Sequence, residues 1–196
     1  SALDKPDPSE DAARDAFLDE LAAAGGVDWA ESTLVNAESR GGATFAIQPD
    51  GSALASGANP DQDDHVYVVR TDARELRLVL LEALTDASLV SNLVGRADNG
   101  NAVLTGVEAE AISVADPAQR TPLRFEWAWA DHEQANGDYR VVNAIDGDDA
   151  SGWAVDAHRK EGPRAALLLA DAPFGFEGGT EVVVKLRYQS IYAKHT

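Results

Sequence analysis

Apolar and polar residues change rhythm once along this chain. Near its start, Ala13, Phe17 and Leu21 recur every four residues with Leu18 beside them, the spacing that puts apolar groups on one face of a helix. Ser9 stands where an N-cap belongs, Glu10 and Asp11 fall in the first turn where the helix dipole favours negative charge, and Gly25-Gly26 ends the pattern. The spacing predicts a short N-terminal α-helix within a separate segment, residues 1–26.

From Val27 onward the period shortens to two, and turn residues interrupt the chain about every ten positions, the signature of an all-β sandwich or barrel. Strands are predicted around Trp29 (27–35), over 44–48 and 52–56 flanking the turn Pro49-Asp50-Gly51, and over 65–70. Residues 75–84 have the propensity of a helix, but Leu76, Leu78 and Leu80 alternate, so a strand is predicted there. Further strands are expected over 102–114, 123–130, 139–145, 153–156, 164–170 and 181–188. Over 123–130 the alternation sets Phe125, Trp127 and Trp129 on one face, which reads as a core face before it reads as a sugar platform. The acidic stretch Asp61-Gln62-Asp63-Asp64 reads as a solvated connection. The fold class is therefore all-β, an antiparallel β-sandwich over residues 27–196 preceded by one short helix.

Charge narrows the range of partners. The chain carries 34 acidic and 16 basic residues, for a net charge of −18. A field of that sign repels phosphate backbones and anionic lipid, so nucleic acid and membrane surfaces are disfavoured, while neutral and cationic partners are not. With no cysteine in the sequence there is no thiolate nucleophile, iron–sulfur cluster or covalently attached haem. Walker, dinucleotide-binding, nucleophile-elbow and H-E-x-x-H motifs are missing, and His65, His132, His158 and His195 lack close metal-ligand spacing. No catalytic residue is assigned, and a non-enzymatic binding or interaction module is expected.

One stretch concentrates polar chemistry: V-V-N-A-I-D-G-D-D-A-S-G-W, residues 141–153. Asp146-Gly147 is a turn signal that predicts the end of a strand at Ile145. Asp146, Asp148 and Ser151, with Asn143 beside them, offer oxygens to a hard cation such as Ca²⁺ in a structural role; the alternative is a tight turn whose Asp side chains cap backbone N–H groups. For a neutral sugar docking on an aromatic face with polar groups at its rim, the candidate residues are Trp153, Asp131, Arg140 and Asn101.

The sequence resembles a known group. Gly41-Gly42-Ala43, Asp50-Gly51-Ser52, Gly57, Asn59-Pro60 and Tyr67, followed by Gly95-Arg96-Ala97-Asp98-Asn99-Gly100-Asn101 with Val103-Leu104, Ala130-Asp131, Gln134, Ala144-Ile145-Asp146-Gly147 and Gly152-Trp153-Ala154, resemble the inter-domain region of large secreted, cytochrome-associated planctomycete and verrucomicrobial proteins. The A-I-D-G-D-x-x-S-G-W run is also similar to a stretch of discoidin-like, galactose-binding jelly rolls. The resemblance implies a jelly roll in a secreted or periplasmic multidomain protein, with a glycan or a neighbouring domain or subunit as its partner. Two positions depart from the group's pattern, Ala102 and Gly106. The group also continues past His-Thr into another strand, which implies an open sheet edge where this sequence stops at Thr196.

Overall fold

The structure, a computed structural model, describes residues 27–196, so the predicted N-terminal helix lies outside the described residues. Residues 31–196 form one compact unit whose regular secondary structure is almost wholly antiparallel strands. The strands are β1 (Thr33–Ser39), β2 (Ala43–Ile47), β3 (Ala53–Gly57), β4 (Asp63–Thr71), β5 (Leu76–Ala83), β6 (Val103–Leu104), β7 (Gly106–Ser113), β8 (Arg120–Leu123), β9 (Phe125–Ala130), β10 (Trp153–Ala154), β11 (Arg164–Phe174) and β12 (Thr180–Tyr188).

A five-stranded sheet in the order β1-β4-β12-β7-β8 faces a three-stranded sheet in the order β5-β11-β9, and β2-β3 and β6-β10 form two-stranded ribbons. The chain passes between the two larger sheets at β4 to β5, β8 to β9 and β11 to β12, the alternation of a jelly-roll sandwich. Between them lie Ala111, Leu123, Ala170, Phe174, Val182 and Val184. A second cluster, with Leu104, Ala128, Val141, Trp153, Val155, Ala166 and Leu168, extends the core toward the β6-β10 ribbon. β5 is a strand despite its helical propensity because its pairing with β11 sends Val79 and Leu81 inward opposite Leu168 and Ala166.

Four sequence expectations are corrected. Residues 27–32 carry no strand; β1 starts at Thr33, which pairs with Arg70 near the end of β4, and Thr71 Oγ1 donates to Glu31 O at 2.8 Å. The predicted strand over 139–145 is a 3₁₀ turn at Val141–Ala144, closed by Asn143 N to Arg140 O and Ile145 N to Val142 O at 3.1 Å each and held by side chains: Val141 N–H donates to Glu133 Oε1 at 2.7 Å, and Asn143 Nδ2 to Asp138 O at 3.1 Å. The aromatic stripe of β9 is split by a register shift against β11. Phe125, Ala128 and Ala130 pack inward, while Trp127 and Trp129 stand opposite Leu169 and Leu167 on the other face.

The fourth correction concerns Asp63, which is inside β4 and only 3% exposed. Its carboxylate accepts bonds from Ser39 Oγ at 2.5 Å, Gly41 N at 2.6 Å and Asp64 N at 2.8 Å, fixing the bend between β1 and β2. A side chain on Gly41 would come within 2.8 Å of this carboxylate, so the position needs glycine.

Candidate functional site

At one rim of the sandwich β6 and β10 pair, Trp153 with Leu104 and Ala154 with Val103. The loop before β6 is a compact knot in which Gly95 N–H donates to Gly100 O at 3.0 Å and Asn101 N–H to Asn99 Oδ1 at 3.0 Å. Any side chain on Gly95 would strike the backbone of Asn101. The knot delivers Asn101 into the rim as a girder. Its Oδ1 accepts from Ala157 N at 3.1 Å and its Nδ2 donates to Gln134 Oε1 at 3.3 Å, while Gln134 N–H donates to Ala154 O at 3.1 Å.

Against this frame lies a cleft of about 220 Å³, lined by Asn99, Asn101, Gln134, Tyr139, His158, Tyr192 and His195 over a floor of Val103 and Ala154. The hydroxyls of Tyr139 and Tyr192 are 2.9 Å apart, and the ring of Tyr192 lies 5.7 Å from that of His195. The bond to Tyr192, helped by desolvation, raises the Tyr139 pKa above its ordinary range and keeps the phenol protonated. The C-terminal wall is tied down by main-chain bonds from Val103 N to His195 O (3.1 Å), Arg96 N to Thr196 O (3.0 Å) and Lys194 N to Asp61 O (3.1 Å).

His158 is carried by a loop with its own internal support. Arg164, 2% exposed, donates to Val155 O at 2.7 Å, Pro163 O at 2.8 Å, Gly162 O at 3.0 Å and Lys160 O, so one guanidinium collects the carbonyls of the loop. Asp156 stands at the head of this loop with φ +55, in left-handed backbone unusual for a residue with a side chain. Its Oδ2 lies 3.2 Å from His132 Nε2, and its Oδ1 is 3.7 Å from both His158 Nδ1 and Arg159. The buried carboxylate thus sits among three nitrogen-bearing side chains, with His132 as its hydrogen-bond partner and its Oδ1 without one among the described residues.

Of the four sugar-binding candidates, only Asn101 lines the cleft. Trp153 does not: it is 3% exposed, and its Nε1 donates to His132 O at 2.9 Å, so it offers no ring face to a ligand and is a core residue. Asp131 closes the end of the β9-β11 pair, its N–H donating to Ala165 O at 3.0 Å and its Oδ1 accepting from Ala165 N at 3.1 Å. Arg140 Nε donates to Asp138 Oδ1 at 3.0 Å. The cleft residues Asn99, Gln134, Tyr139, His158, Tyr192 and His195 escaped sequence reasoning. The signals present were an amide-rich loop, Gln134 among the residues of the resemblance, and His158 and His195 in the last third of the chain.

The acidic turn adopts the capped form. Asp146 Oδ1 accepts from Asp148 N at 2.7 Å, its Oδ2 accepts from Ser151 Oγ at 2.7 Å, and Asp148 Oδ1 accepts from Ala150 N at 2.9 Å. Asn143 turns its amide to Asp138, and Asp149 pairs with Arg187. Asp146 thus spends both carboxylate oxygens, and Asp148 its Oδ1, on donors of the turn itself. Among the described residues no group of three His, Cys, Asp or Glu is arranged to hold a metal ion.

A second polar cluster is buried on the face shared by β4 and β12, against Phe45 of β2. His65 Nε2 lies 3.2 Å from Asp63 Oδ2, Tyr67 OH lies 3.4 Å from His65 Nδ1, and the His65 ring packs against Phe45 at 5.0 Å and Tyr188 at 4.8 Å. Serine, aspartate and histidine meet here, but Ser39 donates to the aspartate and not to the imidazole. The imidazole is not placed to take the hydroxyl proton, and the arrangement is not a Ser-His-Asp triad.

The fold and the site together define an all-β, antiparallel sandwich carrying a small polar and aromatic cleft at its rim. No family model, curated protein or solved structure matches the chain.

Proposed function

We propose that this chain is a non-catalytic carbohydrate-binding module of a larger secreted protein and that the rim cleft is its ligand site. The observation that carries the reading is the composition of the lining. In a chain with 34 acidic residues the cleft presents no carboxylate, but three amides, two phenols and two imidazoles over an apolar floor. Amides and hydroxyls can both donate and accept, as a ring of sugar hydroxyls requires, and aromatic rings pack on its C–H face.

The test is a glycan array followed by calorimetry on the full chain. Saturable binding to a sugar, reduced by Gln134→Ala, supports the reading. Silence across neutral and charged glycans retires it.

A second reading, a domain–domain or subunit interaction module without a small ligand, draws support from β5. This strand lies at one end of its sheet, and Leu80 and, just beyond the strand, Leu84 are exposed. Sedimentation of the chain alone and with its neighbouring domains tests that alternative.

A further inference from the structure

We infer that the cleft takes a single uncharged sugar ring at the end of a glycan, rather than an internal stretch of polysaccharide or an acidic sugar; the inference rests on the carbohydrate reading above. Size supplies the first argument. At about 220 Å³ the cleft lies below the roughly 300–1,000 Å³ of pockets that enclose drug-sized ligands, so it holds one ring and not a chain of rings.

Enclosure supplies the second. Tyr139, from the segment leading into the 3₁₀ turn, and Tyr192, from the C-terminal segment, are joined through their hydroxyls at 2.9 Å. The wall bearing Tyr192 and His195 is anchored by the main-chain bonds of Lys194, His195 and Thr196 to Asp61, Val103 and Arg96. The tyrosine pair thus joins two of the lining walls, and a chain end, which needs one exit, suits such a site better than an internal stretch, which needs two.

Charge supplies the third. The lining contains no Asp, Glu, Lys or Arg. A uronate entering it would lose hydration without a cation in the lining to pair with, and an amino sugar would meet no carboxylate in the lining, so both are disfavoured against the neutral ring. The net charge of the chain, −18, adds to the exclusion of acidic sugars.

The experiment is calorimetry with a panel of methyl hexopyranosides and N-acetylhexosaminides, the di- and trisaccharides that end in the bound ring, the matching hexuronic acid, and a cyclic oligosaccharide with no chain end. A methyl glycoside is expected to bind, with each added ring changing Kd by less than about threefold, the uronic acid at least about tenfold weaker, and the cyclic compound unbound. His195→Ala and Tyr192→Phe, with melting midpoints monitored, are expected to weaken the methyl glycoside by at least about fivefold while leaving the fold intact.

A trisaccharide more than about tenfold tighter than the methyl glycoside, binding of the cyclic compound, or uronate binding equal to the neutral ring each overturns the inference while leaving carbohydrate binding in place. Absence of binding by every sugar overturns the carbohydrate reading itself.

Discussion

His65 Nε2 lies 3.2 Å from Asp63 Oδ2 in the buried layer beneath the β2-β3 hairpin, and the pair ties pH to stability. Burial among Phe45, Tyr67 and Tyr188 lowers the His65 pKa against the pull of Asp63. Burial pushes Asp63 upward, but the bonds from Ser39 and Gly41, the neighbouring imidazole and the bond from Asp64 outweigh it, leaving its pKa lowered. Each group therefore binds its proton less readily in the folded chain than in the unfolded one.

Stability from His65 is complete above its unfolded value of 6.5 and is lost as pH falls toward the folded pKa; that from Asp63 is complete above 3.8 and is lost below it. Urea midpoints are expected to fall as pH drops from 7.5 to 5, with a slope of at most about 1.4 kcal/mol per pH unit from His65. His65→Gln flattens that dependence; parallel slopes for the two proteins would place its origin elsewhere.

Trp153 is expected to behave as a core residue. Trp153→Ala lowers stability by about 3–5 kcal/mol, and Trp153→Phe by about 1–3 kcal/mol because His132 O loses its donor. Denaturant unfolding measures both. A Trp153→Phe protein with unchanged sugar affinity agrees with the buried position; loss of binding at full stability would contradict it.

Arg164 has no carboxylate partner in the hydrogen bonds that hold it, and its donors serve main-chain oxygens alone. Lysine lacks the planar fork that reaches several carbonyls at once, so Arg164→Lys is expected to cost about 1.5–3 kcal/mol. Amide exchange should quicken first over residues 156–163, and uniform quickening throughout the sandwich would argue against a role confined to this loop.

For the acidic turn, thermal melts in calcium and in chelator are expected to give the same midpoint, because Asp146 and Asp148 already accept N–H and O–H donors of their own loop. A calcium-dependent rise in midpoint that Asp146→Asn abolishes would show that the loop opens its oxygens to the ion.

Local pattern carried much of the architecture. The Pro49-Asp50-Gly51 turn and its flanking strands form the β2-β3 hairpin, and the alternating run 181–188 forms most of β12. Pattern failed where one residue of register or one distant donor decides. The single extra residue in β9 turns Trp127 and Trp129 away from Phe125, and no periodicity within 123–130 marks where that shift falls. Asp63 looked like one more acidic loop residue because its partners Ser39 and Gly41 stand more than twenty positions away.

The sequence by itself determined the class of fold, through period-two alternation and regularly spaced turns, and it sets a net charge of −18. The cleft was decided only by tertiary structure. Asn101, Gln134, Tyr139, His158 and Tyr192 come from separate segments, and each is polar for no reason visible among its neighbours in sequence. They meet because the sandwich closes and its backbone bonds draw the C-terminal segment beside β6. Trp153 went the opposite way for the same reason: closure of the two layers buried the aromatic residue that sequence had offered as the site.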